Sequence, residues 1–504
     1  MSNTFLDVRV RLTLLFVPAS KVAHPSYRWK RWLYITHRWI GIVTCLFFVI
    51  WFASGLVMLY VPYPKLTSAE RLEGLRSIDW RLVNKAPRGP AKQIVLEMQG
   101  SSPVWRIDPW DGPQQVFTAA TGRGQSAATR QEAAATASSF GKAPVIQMES
   151  LERDQWTVAN GFDKHRPLWK ATLADNRGRE LYISSRTGAV VQATDGQERF
   201  WNWLGSVPHW IYPTVLRQNS ETWRQVVMWV SGPCILGALA GMWIGILRTR
   251  TGERRFGGGR MTPYRGWMHW HHIAGLIGGV FLTTWIFSGW LSVDPGRLFA
   301  SPGISIEARA AYARARPLDL DVVGLARRAP HARRIELQWA LGQPVLLIER
   351  NGQRTVMLRG DTLQTLTVDP DRIAMAAGRL VPGGKIIAAD RLSVPDAYWY
   401  EVGEPAILPV VRLKFDDPAN TWVFVDPATG KIVGTLDTRR RIYRWAFNLL
   451  HRWDMNVLIG APPARELVVW VMSLIGLVTS ITGIRIAWTR LRRPKRTALV
   501  SPGR

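Results

Sequence analysis

THRWIGIVTCLFFVIWFASGLV, residues 36–57, returns in altered form as HHIAGLIGGVFLTTWIFSGWL, residues 271–291. At an offset of 234 positions, His37 falls on His271, Gly41 on Gly275, Trp51 on Trp285 and Ser54-Gly55 on Ser288-Gly289. A second match joins ELYISSRTGAVVQATDGQERFWNWLGSVPHW (180–210) to WVFVDPATGKIVGTLDTRRRIYRWAFNLLHR (422–452) at an offset of 242. It sets Asp195 on Asp437, Trp203 on Trp445 and His209 on His451, and the helices that follow match at Gly241 and Gly483. An internal repeat constrains architecture before any local assignment does. Each half reads as a helix, an external domain, a His-bearing segment and a second helix.

The helices span a membrane by their composition. Four stretches lack Asp, Glu, Lys and Arg, between Arg38 and Lys65, Arg224 and Arg248, Arg265 and Asp294, and Glu466 and Arg485. A spanning helix needs about 20 apolar residues. The chain is 47% hydrophobic yet carries a formal charge of +28. Much of the excess sits beside these stretches. The linker 248–265 holds six arginines against one glutamate, the tail 485–504 holds seven Lys/Arg and no acid, and residues 1–38 are basic too. Basic flanks stay in the cytoplasm, so both ends and the linker are expected inside, and the two long segments outside. Charge placed this way argues against nucleic-acid binding.

The fold class expected is a membrane α-helical protein, a four-helix transmembrane bundle from a tandem parallel duplication, with two periplasmic α+β domains. The boundaries are a basic cytoplasmic N-terminus (1–38), helix (39–61), outer domain (62–198), His-bearing interfacial segment (199–223), helix (224–247) and basic cytoplasmic linker (248–265). The second half has helix (266–293), outer domain (294–440), His-bearing segment (441–465), helix (466–488) and basic cytoplasmic tail (489–504). In the outer domains RQEAAATASSF (130–140) has a helical pattern. QWTV, PLWKATL, RELYIS, RRIELQWA, PVLLIER, RTVMLRG, VVRLKF and TWVFVD alternate like strands. Cys45 and Cys234, the two cysteines of the chain, lie in apolar helices and make no disulfide framework. The absence of CxxCH excludes covalent c-type haem. The short apolar LTLLFVPAS is not followed by a cleavage site, so the first helix is expected to be retained.

Of nine histidines, His37, His271, His209 and His451 keep their place in both halves. Ionisable groups at a bilayer boundary mark functional sites. Symmetry-related histidines facing each other across a bundle suit bis-His ligation of haem iron. Gly41 and Gly275, one turn after His37 and His271, would leave room for a flat macrocycle, as would Gly55 and Gly289 five turns on. Small residues that only let helices pack closely are the plainer account of the glycines taken alone. His24 reads as an interfacial anchor, and His165 and His331 as surface or turn residues. Zinc or non-haem iron generally needs three or more clustered ligands, and no Asp or Glu stands beside these histidines. His269 and His272 align with Ile35 and Arg38 and have no repeat partner, leaving auxiliary roles open to them.

THRWIGI…SG opening a helix, RPLWKATL…ELYISSRTG, VPHW, and a helix ending GMWIGILR resemble the PepSY-associated transmembrane proteins, from about residue 30 to 490. The better-understood branch of that family resembles ferric-siderophore reductases. The resemblance implies PepSY-like outer domains, b-type haem, two per chain, ligated by His37, His271, His209 and His451, and a haem-dependent reductase in the bacterial inner membrane. Its substrate would be a ferric siderophore or another periplasmic Fe(III) chelate, and its electron donor a quinol or a cytoplasmic reductase, because no strand-turn-helix GxGxxG is present. PepSY domains also resemble protease propeptide segments. A membrane-anchored peptide-binding or protease-regulating module is therefore the competing reading, and a transporter the third.

Overall fold

The computed structural model describes residues 25–351, 355–365, 373, 376–400 and 405–492. The basic ends 1–24 and 493–504, and with them His24, lie outside the described residues. Four long helices, α1 (Pro25–Tyr60), α2 (Ser220–Arg248), α3 (Trp267–Ser292) and α4 (Pro462–Leu491), are each long and apolar enough to cross a membrane. α1, α2 and α4 begin before the expected 39, 224 and 466, because Lys and Arg stems can lie along an apolar surface with their charges in water, whereas α3 stays within the expected 266–293. Asn219 caps α2 by accepting from the Thr222 amide, and Pro462 opens α4, where its missing N–H costs nothing. Helix α1 packs on α2 and α4, and α3 packs on the same two, so α1 and α3 face each other diagonally. Val43, Leu46, Trp229, Leu236 and Leu467 point outward and are exposed. A belt of this kind is stable against lipid, not water.

Fourteen strands form three antiparallel sheets among the described residues. One four-stranded sheet is β4 (Val145–Leu151), β5 (Leu168–Leu173), β6 (Glu180–Ser184) and β7 (Val190–Thr194), covered by the helix Arg130–Gly141. The other is β11 (Ile386–Leu392), β12 (Val410–Phe415), β13 (Trp422–Val425) and β14 (Ile432–Leu436). QWTV is not a strand. The Asp154 carboxylate accepts from the Trp156 and Thr157 amides and folds the segment into a turn, and Asp396 does the same for Tyr398 and Trp399.

The third sheet changes the domain picture. Strands β1 (Gln93–Gln99), β2 (Ser102–Asp108) and β3 (Gln115–Thr118) come from the first half. Strands β8 (Arg334–Ala340), β9 (Gln343–Glu349) and β10 (Val356–Arg359) come from the second. They join in the order β10-β9-β8-β1-β2-β3, with β1 and β8 antiparallel at the centre and Leu96 opposite Ile335. The outer regions 62–198 and 294–440 are thus not separate bodies. One apolar core, with Ile94, Leu96, Trp105, Ile335, Leu337 and Leu346 fully buried, runs across the junction.

Charges bury beside the same junction. Arg106 pairs with Glu97 at 2.7 Å, both less than a tenth exposed, and its remaining nitrogens reach the Gln99 side chain and the Thr187 carbonyl. Glu97 stands opposite Arg334, which pairs with Glu336 at 2.9 Å. Burial pushes the Glu97 carboxyl upward, but Arg106, Arg71 and Arg334 outweigh it and hold the group below the usual carboxylate range. A depressed carboxyl contributes stability that is present above its unfolded value and lost as pH falls through the folded one. Glu97→Ala strands a buried arginine and is expected to cost about 3–5 kcal/mol. Denaturant melts of the two proteins in one detergent at neutral pH check this, and superimposable curves would contradict it.

Candidate functional site

The four repeat histidines form two pairs inside the bundle. His37 on α1 and His271 on α3 have ring centres 6.3 Å apart, at 39° to each other. His209 ends the short helix Ser206–His209, and His451 lies in the turn Leu450–Arg452; their ring centres are 6.1 Å apart, at 71°. The second pair lies toward the sheets, against the last turns of α1 and α3. Trp51, whose carbonyl His209 reaches, follows His37 by fourteen residues, so the pairs are about 21 Å apart along the helix axis. A layer of Phe48, Trp51, Phe52, Leu282, Trp285 and Ile286 fills the space between them.

Each imidazole is held in the same way. The Nδ1–H of His37 donates to the Gly237 carbonyl at 2.9 Å, and that of His271 to Thr479 at 3.0 Å. His209 donates to Trp51 at 3.1 Å and His451 to Trp285 at 3.2 Å. A carbonyl can only accept, so Nδ1 carries the proton and Nε2 is left with its lone pair. No hydrogen bond among the described residues reaches those four Nε2 atoms. Outside the spanning helices, burial pushes His209 down to about 4; burial, and then the neighbouring His209 ring, push His451 down to about 3, so both are neutral.

The acceptor carbonyls share a local sequence. Four residues beyond each stands a glycine, in Gly237-x-x-x-Gly241, Thr479-x-x-x-Gly483, Trp51-x-x-x-Gly55 and Trp285-x-x-x-Gly289. Helical geometry places residue i+4 one turn above residue i, where a side chain would shield the carbonyl from a second donor. A Cβ on Gly241 would lie 2.5 Å from His37 Cε1, and on Gly55 3.2 Å from His209 Cε1. On Gly483 and Gly289 the same atom would meet the His271 and His451 rings at 3.4 and 3.5 Å. In three of the four, residue i+3 is a hydroxyl. Ser54, Ser288 and Thr482 donate to their own acceptor carbonyl and lie 3.1, 3.0 and 3.2 Å from the same Nδ1.

The remaining expectations sort differently. Gly55 and Gly289 seat the second histidine pair directly. Gly41 has nothing within 4 Å of an added Cβ, and Gly275 meets Thr479 at 3.7 Å, so neither backs a histidine ring. His272 is buried with both nitrogens used. Nδ1 accepts from the Thr262 hydroxyl at 2.8 Å and Nε2 donates to the Gly245 carbonyl at 2.9 Å, tying the linker to the helices in a tautomer with no free lone pair. His269 stands edge-on to Trp270 at the far end of α3. His331 is exposed in a turn; His165 is only partly exposed, its Nδ1 is buried and unpartnered, and burial lowers it to about 4. The seating groups, the carbonyls of Gly237, Thr479, Trp51 and Trp285, were missed because a backbone acceptor has no residue signature. The recurring hydroxyl–glycine dipeptides were the available signal. Among the described residues no three or more His, Cys, Asp or Glu side chains gather as a metal cluster.

Residues 34–305 and 334–504 match the family model described as the PepSY-associated TM region. No curated protein matches the chain.

Gly241→Ala drives a methyl group into the His37 ring and is expected to destabilise the bundle by about 1–3 kcal/mol. Gly41→Ala meets open space and gains helix propensity, so it is expected to be neutral or stabilising. Thermal unfolding of both variants in one detergent distinguishes them; equal shifts would contradict the seating role.

Proposed function

Given that the chain belongs to the PepSY-associated TM family, we propose that it is a b-type, two-haem membrane protein that delivers electrons to a ferric chelate on its sheet-bearing side. In this reading the tandem repeat is a parallel duplication, the membrane is the bacterial inner membrane, both chain ends are cytoplasmic and the sheets are periplasmic. The acceptor is a ferric siderophore and the donor a quinol or a cytoplasmic reductase.

The histidine geometry carries the proposal. Two imidazoles that would hold one haem iron between them need facing rings a few ångströms apart and no protein partner on either Nε2. The two pairs have ring centres 6.3 and 6.1 Å apart. Two ligands with no third nearby suit a metal whose other positions are filled by a macrocycle. Haem b at each pair would supply a one-electron Fe(III)/Fe(II) couple.

The chain's own residues do the rest. His37 and His271 would hold one group, His209 and His451 the other. The Nδ1–H···O=C bonds fix each ring and raise the basicity of the opposite nitrogen. The aromatic and aliphatic layer between the pairs keeps water out of the bundle. An axial separation of about 21 Å is a large part of a hydrocarbon core about 30 Å thick, so two such groups would divide the crossing into shorter steps. One-electron reduction of a ferric chelate frees the iron, because hard oxygen donors hold Fe(II) less tightly than Fe(III).

The test is a reduced-minus-oxidised visible spectrum with a pyridine haemochrome count on purified protein. The expected result is a b-type spectrum with two haems per chain, falling to about one in His37→Ala and in His209→Ala. His272→Ala is expected to keep both, since its nitrogens serve the linker. Colourless protein after expression with ample haem would sink the proposal and favour the peptide-binding module.

A further inference from the structure

The two halves differ most sharply beside the second histidine pair. At the repeat offset of 242, Asn202, Trp210, Tyr212 and Trp223 correspond to Arg444, Arg452, Asp454 and Arg465. In the first half Tyr212 packs edge-on against Trp210 at 5.5 Å and Trp223 at 5.7 Å. In the second half the same places hold three guanidinium groups around one carboxylate.

Asp454 is fully buried three residues after His451. Arg465 reaches it at 3.3 Å, Arg452 at 3.4 Å and the Tyr400 hydroxyl at 3.1 Å. Arg444, only 4% exposed, donates to the carbonyls of Ala397 and Asp454 and lies on the Tyr400 and Trp445 rings. The Nη1 of Arg444 and the Nε of Arg465 are buried without a hydrogen-bond partner. Three cations against one anion leave two positive charges unbalanced among the described residues. Buried guanidinium donors left empty are costly, and their planar fork is shaped for carboxylate oxygens.

We infer that Arg444, Arg452 and Arg465 form a carboxylate-binding site beside His451 that takes a ligand with two acidic groups. Two sources share that chemistry, the side-chain carboxylates of a porphyrin held at the His209–His451 pair and those of a free polycarboxylate iron chelate. The first source rests on the haem reading; the second does not. In the first half the equivalent positions are neutral, and a single guanidinium, Arg217, lies over the Tyr212 and Trp223 rings.

Full-length protein in detergent is compared as wild type, Arg465→Gln, Arg444→Lys and Asp454→Asn, with circular dichroism and gel filtration confirming the fold. Haem content and haem dissociation rate report one source; calorimetric titration with ferric citrate reports the other. In both arginine variants, haem that dissociates at least tenfold faster with citrate binding unchanged assigns the site to the porphyrin. Citrate binding weakened at least tenfold with haem unchanged assigns it to the chelate. Asp454→Asn raises the local positive charge and shifts the affected quantity the opposite way. Folded arginine variants that leave both quantities unchanged overturn the inference. Colourless wild type that still binds citrate through these arginines would remove the haem reading and keep the site.

Discussion

Everything in the bundle depends on a second donor reaching the backbone of an intact helix. Each helical carbonyl already accepts from the amide four residues on, and the side chain at that position normally covers it. Glycine at that position uncovers it, and the imidazole Nδ1–H enters. The bond sets the tautomer, the seat and the direction of the free nitrogen in one step. The four repeats of this device place His37 against α2, His271 against α4, His209 against α1 and His451 against α3. Every helix therefore serves as a seat for a histidine carried elsewhere, and the two pairs close across the bundle. His272 shows the converse: a ring that spends both nitrogens on the protein is a strut.

Much of this was legible in the sequence. Helix positions followed from charge-free stretches, and the four histidines stood out because they alone keep their place in both halves. The matched Gly241 and Gly483, and Gly55 and Gly289, were visible as well, but their purpose was not. A glycine in a membrane helix says only that something comes close, and the carbonyl it uncovers belongs to a residue of any type. Gly41 and Gly275 looked equivalent on the helix wheel and touch no histidine ring. The six-stranded sheet was hidden for another reason. The pairing of β1 with β8 spans some 240 residues, and neither hairpin carries a mark of its partner. QWTV alternated like a strand, yet the carboxylate of the preceding aspartate had already committed it to a turn.

The two halves join through β1 and β8 of the shared sheet. The segments bearing His209 and His451 follow β7 and β14, the last strands of the two four-stranded sheets, and bring their ring centres to 6.1 Å from each other. Around them the two halves then diverge, aromatic beside His209 and charged beside His451, so a near-symmetric scaffold presents one face suited to an anion.

The two pairs also differ in the angle between their rings, 39° for His37–His271 and 71° for His209–His451. Imidazole planes govern the orbital splitting of a low-spin ferric ion, and near-perpendicular planes give the more anisotropic spectrum. Low-temperature electron paramagnetic resonance of the oxidised protein therefore tests the central claim that each pair is an axial ligand set. The account predicts two low-spin ferric signals, one rhombic and lost in His37→Ala, the other strongly anisotropic and lost in His209→Ala. A high-spin ferric signal alone, or no haem signal from protein expressed with ample haem, would contradict it.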